Sequence, residues 1–514
     1  MNLNPETIVC HGEGLTLPPL FAERMRTMLG EDFEAFCASY AAPAHPSLRV
    51  NPLKISSCRL KEIAPFLGDC VPWQENGFYY PADGEVRPGK HPLHEAGAYY
   101  IQEASAMLPA SLCPPAPGER VLDLCAAPGG KATQLAAALG GEGLLVANEI
   151  HPTRAGILSQ NMERMGVRNA VVTNASPAEL AEKFPAFFDK IVVDAPCSGE
   201  GMFRKEADAV AMWSPENVAL CADRQAEILD EAAKMLRAGG YLTYSTCTFA
   251  PAENEGAVLS FLTRHPEFEV ISSTEAAVIE SRRRGLLDGG RPEWAEGYGQ
   301  YPEGLRESVR NAYRVLPHHC DGEGHFAVLL RKHEGAEPLP SARPDGKKKV
   351  GKAEKPSGGK GKPAPEAVAV KLFEDFAREV LGGVPAWVSD TSPCLFGDKL
   401  YLVPKILCGE GGDSKAVLNR LRILRAGLCV GTVVGLDRGK GRFEPDHALA
   451  LASDTAARSF PVDETGAVAY LRGETIPAEV RGWYTVTYQG LPLGWGKASD
   501  GVMKNHYPKG LRWN

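Results

Sequence analysis

The sequence has no run of apolar residues near the roughly 20 that a membrane helix requires. Its start, MNLNPETIVCHGEG, has no basic stretch followed by an apolar core. Both features argue against a membrane-spanning or exported chain, and the cytoplasm is the expected compartment. The 13 cysteines are an odd number, spread from Cys10 to Cys429 without a CxxC pair or histidines at metal-ligand spacing. That pattern argues against a disulfide framework and against zinc, so no metal is expected. Most of these thiols are expected to be small buried hydrophobes. A positive surplus is missing too, since 56 Lys and Arg face 64 Asp and Glu for a net charge of −8. Any nucleic-acid contact must then rest on local basic surfaces. The main glycine turn, CAAPGGK, is neither GxGxxG nor GxxxxGK[ST], which disfavours a dinucleotide or ATP.

What is present fits an ordinary globular protein. At 514 residues, 44% hydrophobic and 23% charged, the chain should hold two to four domains. Ahead of residue 333, strand and helix signals alternate. RVLDLCAAPGGKATQLAAALG reads as a strand, a glycine turn and a helix. GLLVANEI, AVVTNAS, FDKIVVDAP and YLTYSTC read as further strands, separated by the helical stretches HPTRAGILSQNMERMG and NVALCADRQAEILDEAAKMLRAGG. Strands spaced by helices of this length predict βαβ units, hence a doubly wound α/β fold with a parallel sheet. In such sheets ligands lie beyond the carboxyl ends of the strands. Glycines 129 and 130 allow close approach there, and Glu149 at a strand end could bind two ribose hydroxyls. The pattern suits S-adenosylmethionine or another nucleoside cofactor.

Two strands end in thiols at that edge, Cys197 in KIVVDAPCSGEGMFRK and Cys247 in GGYLTYSTCTFAPAENEG. Chemistry alone allows either to be a nucleophile. Arg204 and Lys205 could contact phosphate or form a solvated basic pair, and Arg154 could reach a cofactor or sit on the surface. Cys221, in a long helix with apolar neighbours, reads as core. Residues 333–365 are rich in Lys, Gly and Pro and read as a flexible basic linker. The end of the chain interleaves Lys497, Lys504, Lys509 and Arg512 with Trp495, His506, Tyr507 and Trp513. That suits phosphate contact and base stacking, or else the aromatic core of a small domain.

DLCAAPGGKATQLA, NEIHPTRA, DAPCSGEGMFRK and YSTCTFAPAENE, in this order and spacing, resemble the Nop/Sun family of RNA cytosine-C5 methyltransferases. LRVNPLK and GAYYIQEASAMLPA resemble that family's lead-in, so the likeness covers about residues 1–332. PLGWGKASDGVMKNHYPKGLRW resembles the PUA-like RNA-binding end of the bacterial ribosomal small subunit methyltransferase F branch. The resemblance implies a class I, Rossmann-like methyltransferase domain at 96–332 and an N-terminal RNA-binding or cap region at 1–95. Beyond the linker it implies a first C-terminal domain at 366–455 and a PUA-like RNA-binding domain at 456–514.

It also implies S-adenosyl-L-methionine as cofactor, held by Cys125, Ala126, Ala127, Pro128, Gly129, Gly130, Lys131, Glu149 and Asp194. The family's Asp near the adenine is replaced by TNASPAE, with Asn174 and Ser176 as the candidates. Carbon 5 of cytosine is too weak a nucleophile to be methylated unaided. A thiolate on carbon 6, with a proton or hydrogen bond at N3, makes it electron-rich. The resemblance assigns Cys247 as the nucleophile and Cys197 to breakdown of the adduct. Asp194 is the expected N3 partner if its site holds a proton, and Cys125 contributes backbone.

The implied substrate is ribosomal RNA, 16S or the small ribosomal subunit, methylated by a monomer without a membrane partner; transfer RNA is the alternative. A methyltransferase of exocyclic nitrogens would carry Asn/Asp-Pro-Pro-aromatic where this chain has DAPC. A non-catalytic ribosome-assembly factor would have lost the loop or a thiol.

Overall fold

The computed structural model describes residues 16–336, 364–408, 414–419, 421–435, 441–453 and 457–513. Most of the linker expected at 333–365 therefore lies outside the described residues.

A ten-stranded sheet carries the α/β pattern. Its strands include β1 (Arg120–Asp123), β2 (Leu144–Asn148), β3 (Ala170–Thr173), β4 (Phe188–Asp194), β5 (Leu236–Thr246), β6 (Phe268–Ile271) and β7 (His325–Lys332). Strands β3, β2, β1, β4 and β5 lie side by side in that order, all parallel. β7 runs antiparallel beside β5, and β6 pairs antiparallel with β7. The helices between them are α1 (Gly130–Ala138), α2 (Pro152–Arg164), α3 (Pro177–Lys183), α4 (Pro215–Met235) and α5 (Glu255–Arg264). The predicted doubly wound fold is therefore present, and its chain direction reverses beside β1, which opens a crevice at the strand ends.

The local causes are plain. Parallel strands covered on both faces need near-continuous apolar runs, and Val121–Leu122, Leu144–Ala147 and Ile191–Val193 supply them with at most 4% exposure. In α4, Val218, Cys221, Gln225, Ile228, Leu229 and Ala232 recur at helical spacing on the buried face, and the Ser214 side chain caps the first turn by accepting from Asn217 N–H. Cys221 is core, as read from the sequence.

The N-terminal region wraps this sheet. Two helices, Pro19–Leu29 and Phe33–Ser39, bring Phe21 and Phe36 onto Phe203, Phe249 and Leu316. A three-stranded antiparallel sheet follows, with Ser47–Val50 between Gly77–Tyr79 and Tyr99–Ile101. From it the buried Arg49 donates to Gly130 O and Thr133 Oγ1, both at 2.8 Å, and so ties the cap to the start of α1.

The residues after the linker are built into the same body. A four-stranded sheet starts with Thr391–Phe396, and a five-stranded one contains Gly482–Tyr488 and Leu491–Ser499. Strand β8 (Ile423–Ala426) adds itself antiparallel to β3, with Ile423 opposite Thr173 and Ala426 opposite Val171. Its Arg425 is 4% exposed and donates to Val167 O at 2.8 Å. Tyr470, Val486 and Leu493 share one apolar cluster with Leu48, Val50 and Tyr99 of the cap.

This packing corrects the stacking role considered for the C-terminal aromatics. Trp495 is 1% exposed and donates from Nε1 to Asp446 O at 2.8 Å, and Tyr507 is 3% exposed with its hydroxyl donating to Glu95 Oε2 at 3.1 Å. Trp513 packs against the shared cluster. His506 and Lys497 both lie against the Trp483 ring. Burial in a small domain's core claimed these rings, while Lys504 and Lys509 stay exposed.

Removing residues 365–514 would unpair the β3 edge and uncover Leu48, Val50 and Tyr99. A chain ended at Ala364 is expected to melt at least about 5 °C below the full chain and to aggregate more readily. Calorimetry on the two lengths checks this, and equal melting temperatures would show that the α/β sheet stands without that support.

Candidate active site

Beyond the carboxyl ends of β1 to β5 lies a cavity of about 1320 Å³. Its floor is the turn that leaves β1. Gly129 has φ 118°, a region that side chains with a Cβ rarely adopt, and starts α1. Ala126 N–H donates to Asn148 O at 2.8 Å, and the carbonyls of Ala127 and Pro128 accept from Arg154 Nη2 and Asn161 Nδ2, each at 2.8 Å. Cys125, Ala127, Pro128 and Lys131 line the cavity, whereas Ala126, Gly129 and Gly130 shape the turn without walling it. The Cys125 thiol is pushed far up by burial and then by Asp123, Asp194 and Glu149, so it has no nucleophilic character.

Glu149 ends β2 on the cavity wall and is 3% exposed. Its Oε1 accepts His151 N–H at 2.8 Å and its Oε2 lies 3.3 Å from Arg154 Nη1. Arg154 thus braces both the turn and the acid. At the end of β3 the sequence left two candidates. The Asn174 amide is spent on Glu149 O and Ile150 O, at 2.7 and 2.8 Å, and the residue does not line the cavity. Ser176 does line it, as the N-cap of α3 in a capping box with Glu179.

The two thiols meet. Cys197 Sγ and Cys247 Sγ are 3.2 Å apart on the cavity wall. The Cys197 thiol is pushed well up, first by its hydrogen bond with Cys247, then by burial and by the charge of Glu253.

Asp194, at the end of β4, is bound on both oxygens. Lys131 Nζ donates to Oδ2 at 2.7 Å, Ser245 Oγ donates to Oδ1 at 2.8 Å, and His325 Nε2 stands 3.6 Å from Oδ1. Burial raises its pKa, but Lys131 and His325 outweigh burial and hold the carboxyl well below the usual carboxylate range. The sequence expectation required a proton on Asp194. Lys131 and His325 favour the ionised carboxylate instead, with Lys131 Nζ as the donor at this place. Lys131, Asp194 and the two thiols line one cavity.

Asp123, the last residue of β1, is 0% exposed, and no described side chain donates to either carboxyl oxygen, while the Cys125 backbone favours its charge. Burial, then the charge of Asp194, pushes it up to about 8, against the pull of Lys131. Asp123 does not line the cavity, and a buried acid without a side-chain partner costs stability.

The possible phosphate contact of Arg204 is also corrected. Its Nε donates to both oxygens of the buried Glu323, and Nη1 donates to Ser39 O at 2.9 Å, so it fastens the cap. Lys205 is exposed. Sequence reasoning missed His325, Glu103 and Glu253. His325 starts β7 inside EGHFAV, an apolar strand with no signal of a polar role. Glu253 stood in the quoted PAENE, where an acid in a turn reads as solvated, and only its complete burial singles it out. Among the described residues, Asp32, His318 and His319 also approach one another at metal-ligand distances, away from this cavity.

Sequence comparison accounts for most of the chain. The model of 16S rRNA methyltransferase RsmB/F matches residues 110–331, and that of the N-terminal domain of 16S rRNA methyltransferase RsmF matches 17–104. The RsmF rRNA methyltransferase first C-terminal domain matches 375–452, and the methyltransferase RsmF PUA domain 457–513. Ribosomal RNA small subunit methyltransferase F of Serratia proteamaculans is 34% identical over 508 residues, 96% of each chain. That of Erwinia tasmaniensis is 32% identical over 514 residues, 98% of each chain. Among solved structures, a methyltransferase homologue from Pyrococcus horikoshii is 29% identical with a TM-score of 0.50, covering 61% of this chain and 95% of that one. NSun6 from Pyrococcus horikoshii, solved with SFG, is 21% identical at a TM-score of 0.50 over 61% of this chain and 98% of its own, and shares the fold.

Asp123 yields a pH-dependent prediction. It is protonated when folded and ionised when unfolded between about pH 4 and pH 8, so stability falls as pH rises through that window. Asp123→Asn has no proton to lose and is expected to gain on the parent chain with rising pH, by on the order of 5 kcal/mol between about pH 4 and pH 8. Urea unfolding at the two ends of the window checks this, and a pH-independent difference would show that the carboxyl is partnered.

Proposed function

The chain belongs to the RsmB/F family of 16S rRNA methyltransferases, and from that premise we propose that it methylates carbon 5 of a cytosine in small-subunit ribosomal RNA through a covalent adduct on Cys247. The methyl donor is S-adenosyl-L-methionine. The residues present fit it: the Glu149 carboxylate on the cavity wall and the turn from Cys125 to Lys131 offer acceptors and close backbone approach. Glu149 would hold the ribose hydroxyls, and the wall at Ser176, Pro177 and Ala178 would hold the adenine. When bound, the cofactor supplies a methyl carbon on positively charged sulfur, which carbon 5 receives.

The chain's own residues prepare carbon 5. Cys247 Sγ gives its proton to water and adds as the thiolate to carbon 6 of the ring, the C5–C6 π pair shifts toward carbon 5 and N3, and Asp194, held by Lys131, stays ionised throughout. The Lys131 ammonium donates toward the N3 edge, while the Asp194 carboxylate accepts from the neighbouring exocyclic amine. Ser245 and His325 keep that carboxylate turned to its task. After transfer, the proton on carbon 5 leaves and the carbon–sulfur bond breaks, with Cys197 beside the departing sulfur. The target base must stand out of any helix, because carbon 6 is shielded in a stack.

The observation that carries this reading is the 3.2 Å pair of thiols at the wall of a cavity that also holds the Lys131–Asp194 pair. One exposed thiol would suit many chemistries. Two in contact suit formation and breakdown of one adduct.

Methyl-labelled S-adenosylmethionine, offered with small subunits, naked 16S RNA and transfer RNA in parallel, tests the substrate, and nucleoside analysis tests the position. Label is expected in 5-methylcytidine of the small-subunit RNA. Cys247→Ala should give neither product nor adduct, while Cys197→Ala should accumulate a protein–RNA adduct that survives denaturation. The opposite pattern on a denaturing gel would exchange the two roles. Glu149→Ala should weaken cofactor binding at least about tenfold, as loss of hydrogen bonds to a charged group implies; an unchanged affinity by calorimetry would remove Glu149 from the cofactor site.

A further inference from the structure

The segment after Cys247 folds back so that Glu253 is 0% exposed. Its Oε2 accepts Ser198 N–H at 3.0 Å and Gln225 Nε2 at 2.8 Å, and its Oε1 accepts the Ser198 hydroxyl. Gln225 Nε2 also reaches Pro196 O at 3.0 Å, and the Ser198 hydroxyl lies 2.8 Å from Thr248 Oγ1. The residues on both sides of Cys197 are thereby fastened to those that follow Cys247. A buried carboxylate usually has a cation beside it. The titratable groups that face Glu253 are Glu200 and Cys197 from the segment after β4, Cys221 from α4 and Tyr244 from β5, and none is positive. Burial pushes Glu253 up to about 7, against the hydrogen bonds from Ser198 and Gln225.

We propose that Glu253 is a positioning residue for the thiol pair: through Ser198 and Gln225 its carboxylate locks Cys197 against Cys247, within reach for a proton to pass between the two sulfurs. This rests on the adduct chemistry proposed above. In adduct breakdown the carbon 5 proton leaves to water, the C5–H electron pair becomes the C5–C6 double bond, and the C6–S electron pair goes to Cys247 sulfur. The Cys197 thiol gives its proton to that sulfur and regains one from the protonated water. A Cys197 ionised beforehand, or displaced from 3.2 Å, could not do this.

Glu253→Gln keeps the shape and removes the charge. Without RNA, iodoacetamide labelling of Cys197 is read by peptide mass spectrometry from about pH 6 to pH 9. The variant is expected to label roughly fivefold faster near pH 8, with its profile moved to lower pH, because the thiolate is the reactive form. With RNA, turnover should fall at least about tenfold at a KM within about twofold, with more adduct on a denaturing gel. If Glu253→Gln does not fold, Ser198→Ala tests the same lock through one lost donor, with slower adduct breakdown and parental cofactor affinity. Parental Cys197 labelling together with parental adduct levels would overturn the proposal. If neither the parent chain nor Cys197→Ala forms an adduct with any RNA, the adduct chemistry fails, and the labelling profile still decides what Glu253 does to Cys197.

Discussion

Strands β4 and β5 run parallel and adjacent, with Asp194 opposite Ser245, and the site depends on that pairing. A parallel ladder brings the ends of both strands to the same edge of the sheet. Cys197 follows three residues after Asp194 and Cys247 two after Ser245, so the chain delivers both thiols to one point. The cap then fixes them from outside. Phe203 and Phe249 lie a few residues beyond each thiol and pack together under Phe21 and Phe36. Two segments far apart in sequence are thus held by one apolar cluster, and this lets a 3.2 Å contact persist without a covalent bond.

Charge around the cavity follows a second constraint. A carboxylate taken out of water must find a cation, gather hydrogen bonds or give up its charge. Asp194 has Lys131, Glu149 has Arg154, and Glu200 has Arg24 at 2.6 Å. Asp123 and Glu253 have no such cation, and both are pushed up, to about 8 and about 7. One stands at the end of β1, next to the glycine turn, and the other is hydrogen-bonded to the residue after Cys197. The unbalanced acids are concentrated where chemistry is proposed, as expected when a site is shaped for a ligand at some cost in stability.

The parts of the chain also brace one another. The cap shares a core with the last domain, the first C-terminal domain lends β8 to the catalytic sheet, and Arg49 reaches from the cap into α1. The C-terminal region therefore contributes structure as well as surface. The negative net charge is compatible with this arrangement, because basic side chains such as Arg49, Arg204 and Arg425 are consumed in internal joints rather than displayed.

The sequence by itself determined the doubly wound sheet, the glycine turn, Glu149 at a strand end and the two strand-end thiols, because each follows from local pattern: apolar runs, periodicity and turn chemistry. Motif order also led to the family. The spacing of residues could not say that Asp194 is ionised, since that depends on Lys131 arriving from 63 residues away to sit 2.7 Å from it. Nor could it separate Trp495 and Tyr507 from a stacking surface, because the same aromatic residues serve a core or a ligand, and only packing against the cap decides which. Glu253 and His325 became visible only when burial removed the water that would have made them ordinary. Local sequence chooses the elements and their ends, whereas long-range contacts set charge, exposure and partners, and those are properties of neighbours that the chain brings together only on folding.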